Sequence, residues 1–355
     1  MTDADSIPSE PPPRTEQPSS FFALSLEEAK AFVSERGGKP FHAKVIRREV
    51  FENGVLDYGE MTSLPRVLRE RLSEELPLLA GREIARTTAR DETTKILIEL
   101  RKGGTVETVH MPSFTKEGAT LCVSTQVGCP VGCPFCASGL AGLERNLGPE
   151  EILEQYLRGR AIGPLRRSVV MGIGEPLLNF DALSQALTMV REELGIGARK
   201  ITVSSVGFPH RLRRIAPLRP GFQLAISLHS PDDDQRAELV PAMKDVPVAD
   251  LLAAGDNWFE QTGREVTYEY VLLGGTNDTP AHARRLADRL QGRRASVNLI
   301  PYNPVDGDAY RRPDKDTVQG FHGDLTDAGI VATVRWSRGV EADAACGQLR
   351  IRARS

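Results

Sequence analysis

The chain has 355 residues, of which 40% are hydrophobic and 26% are charged, and its formal net charge is −3. This length exceeds the roughly 250–300 residues that a single hydrophobic core usually serves, so we expect one large domain with an accessory unit. The composition excludes an integral membrane protein, because no run approaches the ~20 apolar residues of a membrane-spanning helix. The small net charge predicts no attraction of the whole chain to nucleic acid.

The first 20 residues are rich in proline, serine and acidic residues. They lack the basic and apolar regions of a secretory signal, so we expect a disordered leader on a cytoplasmic protein. The chain has five cysteines, three of them within eight residues. This odd, clustered set fits metal or redox chemistry in a reducing compartment better than a disulfide framework.

A small helical domain is predicted at 21–92. Helices are expected at 26–35, 44–52 and 64–76, the first with Ser25 as N-cap, Glu28 three residues later, and Gly37 as a stop. Two strands at 95–101 and 105–111 flank Gly103 and Gly104. We therefore expect a β-hairpin connector over 93–112.

The rest of the chain alternates β-branched runs with longer amphipathic stretches, which predicts βα units and a parallel sheet. We place strands at 121–126, 168–172, 200–205, 223–228, 265–273 and 296–301. Helices are predicted at 149–160, 180–194, 210–218, 249–261, 280–290 and 317–328. Six units are too few for a complete eight-unit barrel, so the α/β fold expected over 113–337 is a partial (βα)6 TIM-like barrel. A doubly wound open sheet is the alternative.

A C-x3-C-x2-C run follows the first of these strands, at Cys129, Cys133 and Cys136. Three thiolates on one loop can hold three irons of a [4Fe–4S] cluster and leave the fourth iron open to another ligand. The alternative is a zinc site completed by His110 or a distant cysteine, although structural zinc usually has two paired C-x2-C motifs.

Basic residues are concentrated in parts of the chain, and they could form a local phosphate-binding face or simply be solvated on helix surfaces. They are Arg158, Arg160, Arg166, Arg167, Arg199, Lys200, Arg211, Arg213, Arg214, Arg219, Arg311, Arg312, Lys315, Arg350, Arg352 and Arg354.

The cysteine run at the end of a first barrel strand resembles the radical S-adenosylmethionine superfamily, and residues 171–179 resemble its Gly-Glu-Pro element. A closer resemblance is to the radical RNA adenine methyltransferases, which modify carbon-2 or carbon-8 of adenine. It is carried by 106–109, 121–124 and 344–349, and by 39–41 and 60–62 of the helical unit. The resemblance therefore covers nearly everything after the leader.

The resemblance implies a mechanism with two S-adenosylmethionine molecules per turnover. Cys346, in the C-terminal segment 338–355, would accept a methyl group from the first; a radical formed from the second would activate that methyl group for addition to adenine. Glu107 would take the ring proton. Cys122 would attack the sulfur of Cys346 to release the RNA and leave a disulfide. The resemblance implies a [4Fe–4S] cluster held by the three clustered cysteines.

The resemblance also implies which residues bind S-adenosylmethionine, all at the ends of predicted strands: Gly174, Glu175, Ser204, Ser227, Leu228, His229 and Asn303. His229 could instead be a core histidine without chemistry. The implied partners are structured RNA (23S rRNA and possibly tRNA), bound in part by the helical unit, an electron donor such as flavodoxin, and a thiol reductant; we expect a monomer.

The branch of this family stays open on sequence alone. Pro176 fits the carbon-2 enzymes, whereas residues 227–231 and 142–143 fit the carbon-8 enzymes. Carbon-2 methylation is the favoured interpretation and carbon-8 methylation its alternative. A zinc-stabilised RNA-binding module without catalysis is an alternative from another class, and radical chemistry on a small molecule or a protein is a third.

Overall fold

The computed structural model describes residues 18–114, 117–305, 309–339 and 342–349. Residues 1–17 of the predicted leader lie outside this part of the chain, as do the basic residues Arg350, Arg352 and Arg354.

The N-terminal unit contains helices α1 (Leu26–Glu35), α2 (Phe41–Phe51) and α3 (Arg66–Glu75). The predicted start of α1 is confirmed: the Ser25 hydroxyl accepts from the Glu28 amide, and the Ser25 amide donates to the Glu28 carboxylate at 2.8 Å. This reciprocal pair satisfies two amide groups that the first turn leaves without helical partners. The Phe22 ring packs edge-on against Phe51 at 5.5 Å between centroids, which joins the segment before α1 to α2.

Three antiparallel strands follow, β1 (Gly81–Thr88), β2 (Thr94–Leu100) and β3 (Thr105–Pro112). The sequence predicted only two of these strands, β2 and β3. Strand β1 was not predicted and lies within 21–92, the region expected to be helical. Most of β1 is exposed, so its hydrophobicity does not alternate clearly. By contrast, β2 is buried along most of its length and was recognisable.

The larger unit continues in chain order with β4 (Ala119–Cys122), β5 (Gln126–Gly128), α4 (Ala137–Leu140), β6 (Leu143–Asn146), α5 (Pro149–Ile162), β7 (Leu165–Val170), α6 (Phe180–Glu193), β8 (Ile201–Ser205), α7 (Pro209–Ile215), β9 (Gln223–Ser227), α8 (Asp233–Leu239), α9 (Val248–Thr262), β10 (Val266–Leu272), α10 (Pro280–Leu290), β11 (Ala295–Pro301), α11 (Lys315–Asp327) and β12 (Ala332–Val334). The six predicted βα units are present. The first predicted strand is divided into β4 and β5, and α4, β6, α8 and β12 are additional.

One ten-stranded sheet runs in the order β1-β2-β3-β4-β7-β8-β9-β10-β11-β12. Strands β4 to β12 within it pair in parallel, and β3 pairs with β4 in the antiparallel sense. The order never reverses, whereas a doubly wound sheet requires a reversal. Successive right-handed crossovers without reversal place their helices on one face, which makes a partial barrel. The predicted fold class is confirmed.

The small β5–β6 hairpin lies outside this sheet, and the loop with the three clustered cysteines follows β5. Among the described residues, no helix combines the length and apolar character needed to cross a membrane.

Candidate active site

The three clustered cysteines lie on the loop between β5 and α4, and all three line one cavity at the carboxyl ends of the parallel strands. Gly128 and Gly132 have φ angles of 78° and 74°, values that glycine adopts without the strain of a side chain. They let the chain turn sharply on both sides of Cys129. All five cysteines of the protein are free thiols.

The cysteine set fits an iron–sulfur cluster better than a single zinc ion. Burial raises the pKa of the Cys129 thiol to about 12 and also raises the pKa values of Cys133 and Cys136, so all three require a cationic partner to be thiolates. In the part of the chain that the structure describes, no three His, Cys, Asp or Glu side chains meet around a point for one metal ion. His110, the proposed fourth zinc ligand, lies on β3 and is not among the described residues that line this cavity. A cluster bound by one thiolate per iron does not need the three sulfurs to meet at one ion.

The Gly-Glu-Pro element follows β7 and forms the wall beside the cysteines. A Cβ on Gly174 would lie 2.7 Å from Cβ of Gln126, so the close approach of the loop after β7 to the start of β5 requires glycine. The Glu175 amide donates to the Gln126 side chain at 2.7 Å. The buried Glu175 carboxylate accepts from the Ser205 hydroxyl at 2.6 Å and from the Val206 amide at 2.9 Å. These bonds fix the loop after β7 against the loop after β8.

Ser204, Ser227 and His229 also line the cavity, as predicted for cofactor contacts. The two serine hydroxyls lie 3.4 Å apart at the ends of β8 and β9. His229 Nδ1 accepts from the Val271 amide at 3.2 Å, and burial, with a contribution from Arg236, lowers the pKa of its ring to about 3. The ring is therefore neutral and carries its proton on Nε2. Leu228 differs, because its side chain is fully buried in the hydrophobic core and is not among the described lining residues.

Cys346 lines the same cavity as the three clustered cysteines, and its backbone is held by Asn303. The Asn303 side-chain amide donates to the Cys346 carbonyl at 3.0 Å. The Ala137 amide donates to the Gly347 carbonyl at 2.8 Å, which joins this segment to the residue that follows Cys136. Asn303 is thus a positioning residue for the Cys346 segment as well as part of the cavity wall.

A second cavity adjoins the first, and Cys346 lines both. Cys122 lines only the second one, together with residues of β3, β4 and the segment after β12. Burial, reinforced by the nearby Cys346, raises the pKa of the Cys122 thiol to about 12. Arg335 lines the same cavity; the negative potential of Cys346, and to a smaller extent of Glu269 and Cys122, raises its pKa against the effect of burial.

Glu107 is fully buried on β3, and its carboxylate lies 3.2 Å from the ammonium of the equally buried Lys95. Val109 pairs with Cys122 across β3 and β4, so Glu107, two residues from Val109, points to the same face of the sheet as Cys122. Glu107 is not among the described lining residues of either cavity. The predicted proton acceptor therefore shares a sheet face with Cys122 but is not brought into the described lining of either cavity.

Comparisons with known proteins decide the family. The model described as "Radical SAM superfamily" matches residues 123–287, and the one described as "Ribosomal RNA large subunit methyltransferase N-terminal domain" matches residues 20–77. A protein of Rhodopirellula baltica named "Probable dual-specificity RNA methyltransferase RlmN" is 44% identical over 332 residues, 92% of this chain and 89% of its own length. The chain belongs to the RlmN family. A Gloeobacter violaceus protein with the same name is 42% identical and covers 93% of this chain and 95% of itself.

A crystal structure titled as a radical SAM methyltransferase from Sphaerobacter thermophilus has the same architecture as this RlmN-family chain. It superposes with a TM-score of 0.87 at 39% identity, covering 93% of this chain and 99% of that one. Membership of the radical SAM superfamily gives the chain a [4Fe–4S] cluster and S-adenosylmethionine as cofactors.

Three site residues of this RlmN-family protein were not found from sequence: Lys95, Glu269 and Arg335. Glu269 lines the first cavity, and its carboxylate accepts from the side-chain amide of Asn298 at 2.7 Å. Burial raises the pKa of Glu269 to about 7. Lys95 and Glu269 stand in β2 and β10 without any local motif, and Arg335 directly follows β12. Folding brings these three residues near the cavities from distant parts of the sequence, so no local pattern predicts their positions.

Among the residues that the structure describes, the basic residues considered for phosphate binding do not form one face around the cavities. Arg199 and Lys200 immediately precede β8, at the end of the sheet opposite the cysteines. Arg158 is buried and pairs with Glu154 at 2.7 Å, so its role is structural. Arg312 lies in the loop after β11, on the cysteine side.

Proposed function

We propose that this S-adenosylmethionine-dependent RNA methyltransferase methylates carbon-2 of an adenine in 23S rRNA and in tRNA through an S-methylated Cys346. The observation that supports this most strongly is the position of Cys346 in the walls of both cavities. From this position the same sulfur can face the cofactor in one cavity and the RNA base in the other.

The first cavity is the proposed cofactor site. Cys129, Cys133 and Cys136 are the proposed cluster ligands, and Gly174, Glu175, Ser204, Ser227 and Asn303 the proposed contacts to S-adenosylmethionine. His229 offers an Nε2 proton as a hydrogen-bond donor, and Leu228 supports the site from the core. When bound, the cluster and S-adenosylmethionine supply a methyl cation equivalent and, in a separate event, a 5′-deoxyadenosyl radical. The Cys346 thiolate takes the methyl group: its S–C bond forms as the sulfonium S–CH3 bond breaks.

Adenine carbon-2 has no nucleophilic lone pair, so this chemistry requires a carbon-centred radical on the methyl group carried by Cys346. The radical would add to carbon-2 and form the carbon–carbon bond. The adduct would then lose one electron, which the oxidised cluster would accept, and the ring proton, for which Glu107 is the proposed acceptor. The Glu107 carboxylate is paired with Lys95 at 3.2 Å, and Glu107 is not among the described lining residues of either cavity, so proton transfer requires a water molecule to relay the proton or a movement of Glu107.

Cys122 is proposed to resolve the thioether. Its thiolate attacks the sulfur of Cys346, the bond between that sulfur and the methylene carbon breaks, and a disulfide forms. The released carbon keeps the electron pair and takes up the proton that the base had accepted, which completes the methyl group. Arg335 lies in the same cavity wall, and its positive charge partly offsets the effect of burial, which raises the pKa of the Cys122 thiol. A thiol reductant must reopen the disulfide, and an electron donor such as flavodoxin must reduce the cluster. We propose that the protein acts as a cytoplasmic monomer.

Nucleoside mass spectrometry tests the proposed regiochemistry. Digested 23S rRNA and tRNA from cells with and without the gene should differ in 2-methyladenosine, and the Cys346→Ala variant should behave as the deletion. Appearance of 8-methyladenosine instead would establish the carbon-8 alternative. Unchanged nucleosides would refute RNA methylation.

A further inference from the structure

An exposed tryptophan stands at the wall of the second cavity. Trp336 is 42% exposed, whereas Trp258, the other tryptophan of the chain, is completely buried. Trp336 follows β12, and it lines the cavity that also contains Cys122 and Cys346. Burial of this ring would stabilise the protein, so an exposed indole in the wall of a cavity is a candidate contact for a bound ligand.

The indole belongs to a set of paired arginine and aromatic side chains. The Arg312 guanidinium lies 5.9 Å from the centre of the Trp336 ring, and its Nη1 is 3.4 Å from Oδ1 of Asn303, the residue that holds the Cys346 carbonyl. In a second pair, the Arg338 guanidinium lies 4.4 Å from the centre of the Phe114 ring, which is 70% exposed. The aromatic surface is thus connected to the segment that carries the reactive thiol.

The charge of this wall indicates the kind of ligand. Arg335 and Arg338 line the second cavity, and no carboxylate does so among the residues that the structure describes. Nε of Arg338 lies 3.5 Å from the Asp91 carboxylate, and its Nη2 donates to the Asp91 backbone carbonyl at 3.0 Å. These contacts hold the Arg338 side chain in place without a ligand. Fixed positive charge beside exposed aromatic rings is the combination that binds unpaired nucleic acid, with bases stacked on rings and phosphates near cations.

We propose that Trp336 stacks on the base of a nucleotide next to the target adenine, with Arg312 and Arg338 close to the adjoining phosphates. This inference rests on the proposed function, because it takes the partner to be the RNA substrate. An adenine that reaches Cys346 inside a cavity must leave its own stack, and its neighbours then lose a stacking partner. The exposed indole replaces that partner at the mouth of the site.

RNA affinity measures the contribution of the indole. Unmodified 23S rRNA from cells lacking the gene is titrated against the full-length, cluster-containing protein in a filter-binding assay. Trp336→Ala should weaken binding on the order of tenfold or more, and Trp336→Phe should stay within about threefold of the wild type, since a flat ring remains. Val331→Ala is the matched control: Val331 is 66% exposed at the opposite end of β12 and should have no effect.

Tryptophan fluorescence gives a readout that a purely structural role would not produce. Because Trp258 is buried, saturating RNA should quench mainly Trp336, and Trp336→Phe should lose this quenching while still binding RNA. Wild-type affinity in Trp336→Ala, or binding of RNA without any quenching, overturns the stacking role while leaving RNA methylation intact. A wild-type protein that neither binds nor methylates the RNA overturns the proposed function and the inference with it.

Discussion

Replacing Lys95 with methionine should strongly destabilise the protein, because it leaves Glu107 buried without its counter-charge. Lys95 and Glu107 are 5% and 0% exposed, and their charged atoms lie 3.2 Å apart. Removing one partner of such a buried pair typically costs about 3–5 kcal/mol. The Lys95 ammonium also donates to the Asp343 carbonyl at 3.0 Å, so the segment before Cys346 loses an anchor too. Lys95→Met should therefore have a free energy of unfolding about 3–5 kcal/mol below that of the wild type.

The assay is guanidinium-induced unfolding of the reduced protein under anaerobic conditions. Lys95→Met/Glu107→Gln is the diagnostic control, because it removes both charges and should regain most of the lost stability. If Lys95→Met unfolds within about 1 kcal/mol of the wild type, or if the double variant is no more stable than the single one, the two charges are not an energetically coupled pair.

Four further outcomes follow from the site. Cys133→Ala should contain little iron after anaerobic reconstitution, and full iron content would contradict the proposed ligand set. Cys122→Ala should accumulate a covalent adduct between RNA and Cys346, seen as a slow-migrating band that nuclease trims; free methylated RNA at the wild-type rate would exclude the resolving role. Gly174→Ala should lower the free energy of unfolding by about 2–5 kcal/mol, because the new Cβ meets a positive φ of 111° and a neighbour at 2.7 Å, and should weaken S-adenosylmethionine binding in calorimetry. Folding raises the pKa of Glu269 to about 7, so the folded state holds its proton more tightly than the unfolded state does. The free energy of unfolding of the metal-free protein should therefore fall by up to about 3 kcal/mol as the pH rises from about 4.5 to 7. In Glu269→Gln the free energy of unfolding should change less over that range.

The sequence was most informative where local rules determine structure. Helix α10 begins and ends at the predicted residues, because Thr279 caps it and its apolar residues repeat at helical spacing. Cysteine spacing predicted that Cys129, Cys133 and Cys136 share one loop, and the family resemblance of the surrounding residues singled out Cys122 and Cys346; the structure places these two cysteines in one cavity wall. β1 was missed because an exposed edge strand has no hydrophobic alternation.

The electrostatic partners of the site could not be found this way. Arg335 contacts the Met171 sulfur at 3.2 Å across 164 positions of sequence, and Lys95 bonds to Asp343 across 248. Such contacts arise from the closure of the sheet, so no window of sequence contains them. The position of Leu228 also depends on tertiary packing, because its neighbours Ser227 and His229 face the cavity while it enters the core.

Hydrogen bonds between the cysteine loop and the C-terminal segment couple binding of the iron–sulfur cluster to the position of the Cys346 thiol. Ala137 and Ser138, directly after the last cluster cysteine, bond to the carbonyls of Gly347 and Leu349 at 2.8 and 2.6 Å. A cluster that orders the loop thereby favours the docked position of Cys346, and docking of Cys346 favours retention of the cluster by the same free energy. A chain that has not received its cluster is therefore also less able to hold Cys346 in the cavity wall.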